Sequence, residues 1–375
     1  MIKREIEKEI IRRLFKGKVI VIYGARRVGK TTLVKNIAKK YAGKSKYLNC
    51  DEPDIRRELT DKTSTELKAL FGNSRLVIID EAQRIKNIGL KLKLLVDNFP
   101  EKQIIATGSS SFDLSNEINE PLTGRNFEFW LFPLSLSEIV GQKSQIEVGR
   151  ELENLLVYGS YPEIYQLESL EQKSQRIKYL ASNYLYKDIL KFNNIKNSET
   201  VLKLLQALAL QTGNEVSYNE LAVLVGVNKQ TVANYIELLE KAFIVFRISP
   251  YSGNLRKAIS KMRKIYFFDL GIRNAMVNNQ NPLNLRDDVG RLWENFVISE
   301  KYKSQFGLGF KTNYYFWRTY DQQEVDLVES KGGKLFGWEI KWDSKTKKPP
   351  KAWVETYQNS TYQVINKDNY LDFLV

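Results

Sequence analysis

Gly24-Ala25-Arg26-Arg27-Val28-Gly29-Lys30-Thr31 is the stretch that decides the fold. Its spacing is G-x-x-x-x-G-K-[S/T], and its flanks agree with it. Ahead of it, Val19-Ile20-Val21-Ile22-Tyr23 is an apolar, β-branched run suited to a buried parallel strand. Behind it, residues 32 to 40 carry apolar side chains at 33, 34, 37 and 38, a helical spacing. The eight residues therefore lie at a strand-to-helix turn. There, backbone N–H groups and the positive end of a helix can hold anionic phosphate. Gly24 through Thr31, with Thr32, are the residues expected to line the phosphates.

Composition bounds the rest. The chain has 375 residues, 43% of them hydrophobic, enough for two or three domains with their own cores. It contains no histidine, which excludes Ser-His-Asp triads, histidine bases and histidine-ligated zinc. The single cysteine, Cys50, excludes an intramolecular disulfide and a cysteine metal cluster. Any chemistry must rest on carboxylates, Lys, Arg, hydroxyls and bound cations. A formal charge of +14 fits polyanionic partners such as nucleic acid, and equally a lysine-rich solvated surface. No apolar run approaches the roughly 20 residues that span a bilayer. The charged opening Met1-Ile2-Lys3-Arg4-Glu5-Ile6-Glu7 is unlike a secretory signal. A soluble cytoplasmic protein, with no membrane partner, is the expectation.

Residues 3 to 16 have an amphipathic helical pattern, and Lys46 to Cys50 reads as a second strand. Leu76-Val77-Ile78-Ile79-Asp80-Glu81 is an apolar strand ending in two acids, the Walker B pattern that accompanies a phosphate loop. Asp80 is expected to hold Mg2+ with the Thr31 hydroxyl, and Glu81 to orient the water that attacks the γ-phosphate, with Lys30 on the β- and γ-phosphates. The chain thus resembles the P-loop nucleoside triphosphatases, with ATP and Mg2+ as implied cofactors. Gln103-Ile104-Ile105-Ala106-Thr107-Gly108-Ser109 resembles the sensor-1 strand of AAA-type ATPases, with Thr107 or Ser109 as the candidate sensor.

Gly124, Arg125, Pro133, Leu134, Ser135 and Glu138 match the "GR…PLS…E" pattern of prokaryotic ATP-binding proteins with an AAA-type core. That resemblance implies Arg125 as a γ-phosphate sensor or arginine finger, in its own chain or a neighbour's; a salt bridge is the alternative. Tyr158-Gly159-Ser160-Tyr161-Pro162-Glu163 is similar to the "GGYPE" element of the same group and breaks a helical region spanning 151 to 195. Within that region, Arg176, Ile177, Tyr179, Leu180, Tyr184, Leu185, Ile189 and Leu190 continue as an amphipathic packing helix.

Ser217 with Glu220 forms the start signal of a helix, Gly226 supplies a turn, and Asn228 to Ile236 follow as a second helix. With Leu238 to Ile248 bringing a first wing strand, this is the pattern of a winged helix-turn-helix. Asn228, Lys229, Gln230, Thr231 and Asn234 would open its recognition helix. Winged helices also serve as protein-contact modules. The basic run Asn254 to Lys264 could grip phosphates or be a solvated loop.

At the C-terminal end, Asp326 on one strand and Glu339 and Lys341 on the next form D…E-x-K. Residues 339 and 341 project from one face of their strand. Two carboxylates can hold Mg2+, while a lysine steadies a water or a phosphate. The order resembles the PD-(D/E)xK restriction-endonuclease-like superfamily, with Glu294 matching its helical acid. This implies a DNA-cleaving site or an inactive binding module. Lys345, Lys347, Lys348 and Lys351 follow.

The chain therefore reads as α/β in class. An AAA-type P-loop NTPase with a parallel-sheet core occupies 1–145, and a helical connector 146–200. A winged-helix middle follows over 201–270, and a restriction-endonuclease-like α/β domain over 285–375. ATP hydrolysis coupled to DNA is the leading expectation. A nucleotide-dependent switch acting on a protein partner, or on a second copy through self-association, is the alternative.

Overall fold

The computed structural model describes residues 2–108, 120–141, 143–182, 198–252, 263–306, 313–343 and 347–375. Ser109, Tyr184, Leu185, Ile189, Leu190, most of the basic run (residues 254–262) and Lys345 lie outside them. Two compact units form, the first holding Met1–Phe132 and the second most of Pro133–Val375.

The first unit is built on five parallel strands: β1 (Val19–Tyr23), β2 (Ser45–Asn49), β3 (Leu76–Asp80), β4 (Gln103–Gly108) and β5 (Asn126–Trp130). Their order across the sheet is β2-β3-β4-β1-β5. Every residue of β1, β3 and β4 is buried, as continuous apolar strands in a two-sided parallel sheet require. The helix Lys30–Lys39 follows β1 through the loop of residues 24–29 and buries Leu33, Val34 and Ile37. Because β4 sits between β1 and β3, the three strands deliver the phosphate loop, Asp80 and Thr107 to one end of the sheet.

In the second unit, the helices Gln145–Tyr158, Leu170–Leu180 and Ser198–Leu210 are followed by Tyr218–Val225 and Lys229–Lys241. Gly226, at φ 73°, makes the turn between the last two. Seven strands form one sheet in the order β12-β11-β10-β9-β7-β8-β6. These are β6 (Glu215–Val216), β7 (Val245–Pro250), β8 (Arg263–Phe267), β9 (Tyr314–Arg318), β10 (Glu324–Lys331), β11 (Lys334–Ile340) and β12 (Ser360–Ile365). β7 and β9 pair in parallel through Ser249–Tyr315 and Pro250–Phe316, so the sheet runs unbroken from the strands that flank the helices Tyr218–Val225 and Lys229–Lys241 into the C-terminal strands. β10 and β11 form a hairpin around Gly332 and Gly333, at φ 59° and 75°, values a tight two-residue turn demands of both positions. The helix Val289–Phe306 carries Glu294.

Candidate functional site

Each compact unit holds a constellation of charged and hydroxyl side chains that the motifs mark. In the first, the loop after β1 turns through two left-handed residues, Arg27 (φ 64°) and Gly29 (φ 101°). Gly24 has no room for a side chain: a Cβ there would stand 2.2 Å from the Leu131 carbonyl oxygen. The first turn of the helix Lys30–Lys39 carries no acidic residue, leaving its positive end open to an anion. Lys30 is buried, and its ammonium donates to the carbonyls of Gly24 (2.8 Å) and Ala25 (3.0 Å). Ala25 and Val28 are buried, Arg26 half-buried, and Arg27 and Thr32 exposed.

Asp80, at the end of β3, is 2% exposed and accepts three hydroxyl hydrogen bonds. Thr31 Oγ1 donates to its Oδ2 at 2.7 Å, Tyr47 Oη donates to the same oxygen at 2.5 Å, and Thr107 Oγ1 donates to Oδ1. Thr107 in turn accepts the Glu81 backbone N–H at 3.1 Å. Glu81 sits in the left-handed region (φ 57°), where its carboxylate accepts from Gln83 Nε2 at 2.6 Å. Burial, with Asp80 beside it, pushes the Tyr47 phenol well above its usual range, so Tyr47 stays a hydrogen-bond donor. Cys50, buried beside Asp80, is pushed up to about 12 and carries no thiolate chemistry.

The donor set fits a divalent cation. Thr31 and Asp80 oxygens already lie within hydrogen-bond distance of one another, and an alcohol with a carboxylate is the ligand chemistry Mg2+ takes beside phosphate. Thr107 is fully buried, and its hydroxyl donates to Asp80 and accepts the Glu81 backbone N–H, which links the two acidic residues. Arg125 precedes β5, whose Asn126 pairs with Val19 at the start of β1, whereas the phosphate loop leaves β1 after Tyr23. Five residues of strand, roughly 16 Å, separate the two ends. Arg125 instead meets Asp97 at 2.7 Å, the ion-pair alternative, and does not reach the loop of its own chain. Tyr47 carries no motif that marks it in sequence.

The second constellation centres on Asp326. The β9–β10 ladder shifts register between Val325 and Val328, a bulge of the kind that re-aims side chains beside functional sites. Asp326 and Glu339 face each other one step beyond the Leu327–Trp338 pair of β10 and β11, and both are buried. Two like charges so placed need cations. Lys341 Nζ lies 2.8 Å from Glu339 Oε1 and 3.9 Å from Asp326 Oδ2, and Lys347 Nζ lies 2.5 Å from Glu339 Oε1.

A further cation comes from β8, which the D…E-x-K pattern does not include. Lys264, 3% exposed, reaches Glu324 (2.5 Å), Glu294 (3.1 Å) and Asp326 (4.0 Å), and Tyr266 Oη donates to Glu294 at 2.7 Å. Burial opposes the Lys264 charge, but Glu294 and its neighbours outweigh it and hold the ammonium well above its usual range. Burial first, and Glu294 second, push the Asp326 carboxyl up to about 7. Glu339 Oε2 is buried without a hydrogen-bond partner. A single divalent cation fits those two observations, since it would satisfy the orphaned oxygen and relieve the raised carboxyl. Among the described residues no three acidic side chains form an all-protein metal cage.

In the helix pair of the second unit, Ser217 accepts the Glu220 N–H at 3.4 Å, as its sequence position implies. Asn228 and Thr231 lie at the start of the second helix, where Asn228 Oδ1 caps Lys229–Lys241 by accepting the Thr231 N–H and hydroxyl at 2.8 and 3.0 Å. Gln230 and Asn234 hydrogen-bond each other at 3.0 Å, and Lys229 is exposed. Among the described residues no helix is long and apolar enough to cross a membrane.

Comparison with known proteins follows this division. Residues 16–140 match a family model described as an AAA domain. Residues 149–283 and 289–371 match two domains of unknown function, DUF8612 and DUF4143. An uncharacterised protein of Mycobacterium tuberculosis is 27% identical over 343 residues, 90% of this chain and 74% of its own length. One of Methanocaldococcus jannaschii is 27% identical over 314 residues, 79% of this chain and 69% of its own. Among solved structures, a Walker-type ATPase of Pyrococcus abyssi superposes with a TM-score of 0.50 at 17% identity, covering 74% of this chain and 96% of that one. The parallel-sheet core is that of a P-loop NTPase of AAA type.

Proposed function

We propose that the chain is a Mg2+-dependent ATPase whose first unit binds and hydrolyses ATP, coupled to DNA held by the second. The observation that carries the reading is the continuous line of hydrogen bonds from Thr31 through Asp80 and Thr107 to Glu81, set at the mouth of the Gly24–Thr31 loop. Lys30 exchanges its loop carbonyls for the β- and γ-phosphate oxygens, which are stronger acceptors for an ammonium. Glu81 accepts a hydrogen bond from the attacking water, with Gln83 holding its second oxygen. When bound, Mg2+ neutralises charge on the departing phosphate oxygens, and Thr31 and Asp80 would hold it.

Lys30→Ala and Glu81→Gln are expected to abolish phosphate release while the circular dichroism spectrum stays unchanged. Full turnover in both would overturn the assignment. For the second unit, the reading takes the helices Tyr218–Val225 and Lys229–Lys241 with β6, β7 and β8 as a winged helix. It takes Asp326, Glu339 and Lys341 as a Mg2+-dependent phosphodiester-cleaving site of the PD-(D/E)xK kind. Incubation with linear and supercoiled DNA, ATP and Mg2+ or Mn2+ tests it; cleavage that survives Asp326→Ala and Lys341→Ala lies elsewhere.

One observation favours the alternative of a switch acting on a protein partner. Val223 and Leu224 are 85% and 65% exposed on the first helix of the pair, while Asn228, Thr231, Gln230 and Asn234 are engaged with one another. Slow turnover with no salt-dependent DNA affinity would select it.

A further inference from the structure

We infer that Arg4 is a positioning residue of the phosphate loop; this deepens the ATP-binding reading and rests on it. Arg4 lies outside every recognised motif, yet its guanidinium is inside the site, 9% exposed. Nη1 donates to the Val28 carbonyl at 2.6 Å, and Nη2 donates to the Phe132 carbonyl at 2.7 Å. Both bonds span long stretches of sequence, so they fix tertiary geometry rather than local turns.

The Val28 bond has a definite consequence. In a trans peptide the C=O of Val28 and the N–H of Gly29 lie in one rigid plane and point in opposite directions, and the described chain has no cis peptide. Holding the carbonyl towards Arg4 therefore aims the Gly29 N–H away from Arg4, in the direction of the concave side of the loop. Gly29 is at φ 101°, so its own torsions permit other plane orientations that the bond removes. A Cβ at Gly29 would lie 3.6 Å from Arg4 Nη1, which shows how closely the guanidinium backs the loop.

The second bond anchors that guanidinium. Leu131 N–H donates to the Tyr23 carbonyl at 2.7 Å, and the Leu131 carbonyl fills the space a Cβ on Gly24 would need, so residues 131 and 132 run beside the loop as a rail. Arg4 ties the far turn of the loop to this rail. A planar fork is needed to reach both carbonyls, and lysine has only one reach.

The test uses the full chain. ATP affinity is measured with a fluorescent methylanthraniloyl-ATP, and steady-state kcat and KM by phosphate release, for wild type, Arg4→Ala, Arg4→Lys, Lys30→Ala and the exposed control Arg12→Ala. Arg4→Ala is expected to raise Kd and KM about tenfold and leave kcat within about twofold, because Lys30, Asp80 and Glu81 stay in place. Arg4→Lys is expected to fall between, and Arg12→Ala to match wild type. Should Arg4→Ala fail to fold, Arg4→Lys carries the comparison. Equal Kd in wild type and every folded Arg4 variant overturns the inference while the ATPase reading stands. Absence of binding by wild type overturns both.

Discussion

Asp326→Asn is the substitution whose effect the structure constrains most sharply. Asp326 is 5% exposed, with Glu294 and Glu339 as acidic neighbours and the Lys264 and Lys341 ammonium groups about 4 Å away. Burial and Glu294 raise its carboxyl from the ordinary 3.8 to about 7. The sign follows from linkage. Below about pH 4 both folded and unfolded chains hold the proton, and Asp326 is neutral to stability. Between about pH 4 and 7 the unfolded chain has released the proton and the folded chain has not, so stability falls as pH rises; above about 7 the full cost is present.

At about 1.4 kcal/mol per pH unit, that cost approaches roughly 4 kcal/mol. Asparagine keeps an amide oxygen for the Ile340 N–H, now 2.8 Å from Oδ2, and removes the ionisation. The variant is therefore expected to be more stable than wild type at pH 8, and the gain to shrink by about 2 kcal/mol at pH 5.5. Urea unfolding followed by tryptophan fluorescence measures this, because five of the six tryptophans lie in the second unit. In the same assay, millimolar Mg2+ is expected to stabilise wild type and not the variant. A stability difference that does not change with pH would refute the reasoning.

Other perturbations follow from the same geometry. Gly24→Ala places a methyl 2.2 Å from a backbone oxygen, and is expected to cost about 1–3 kcal/mol and to abolish nucleotide binding, read by thermal unfolding and nucleotide titration. Lys264→Met leaves Glu294, Glu324 and Asp326 without their buried cation; urea unfolding is expected to show a loss of about 3–5 kcal/mol, undiminished by added salt. Thr107→Val removes the hydroxyl between Asp80 and Glu81, with an expected cost of about 1–3 kcal/mol and a fall in kcat larger than any rise in KM. If DNA lies along the helix Lys229–Lys241, Lys229→Ala reduces the slope of log affinity against log salt by about one, and an unchanged slope removes that helix from the interface.

The parallel core was legible because buried strands leave continuous apolar runs and the phosphate loop has a fixed spacing. β1, β3 and β4 fall within a residue or so of where Val19, Leu76 and Gln103 announce them. Pairs set only by tertiary packing left no such trace. Arg4, Tyr47 and Lys264 touch their sites across 24, 33 and at least 30 positions of sequence, and their residue types are common. Arg125 meets Asp97, the ion-pair alternative, and the reason it stays away from the loop of its own chain is strand direction. Its motif lies near the site in sequence, but strand direction puts the residue before a parallel strand at the end opposite the loop. Thr107 is legible as a polar residue near the end of a buried strand, whereas its bond to Asp80 depends on β4 lying beside β3. In the helix pair, the cap that Asn228 provides leaves its trace in the spacing, because Thr231 stands three positions on, where its backbone N–H donates to Asn228 Oδ1.

The short parallel pairing of β7 with β9 has a consequence for how this protein can be handled. It comprises two register pairs, ends at Pro250, which has no N–H to extend a ladder, and is reinforced by the Tyr251 N–H donating to Phe316 at 2.6 Å. Cutting the chain near residue 285 would strip both strands of their neighbour at once, leaving each fragment an open sheet margin of unpaired donors and acceptors. Fragments made at that point are therefore poor miniatures of the parent, prone to stack with one another through the exposed seam. Residues 133–375 keep all seven strands of that sheet, and so the seam, in one piece.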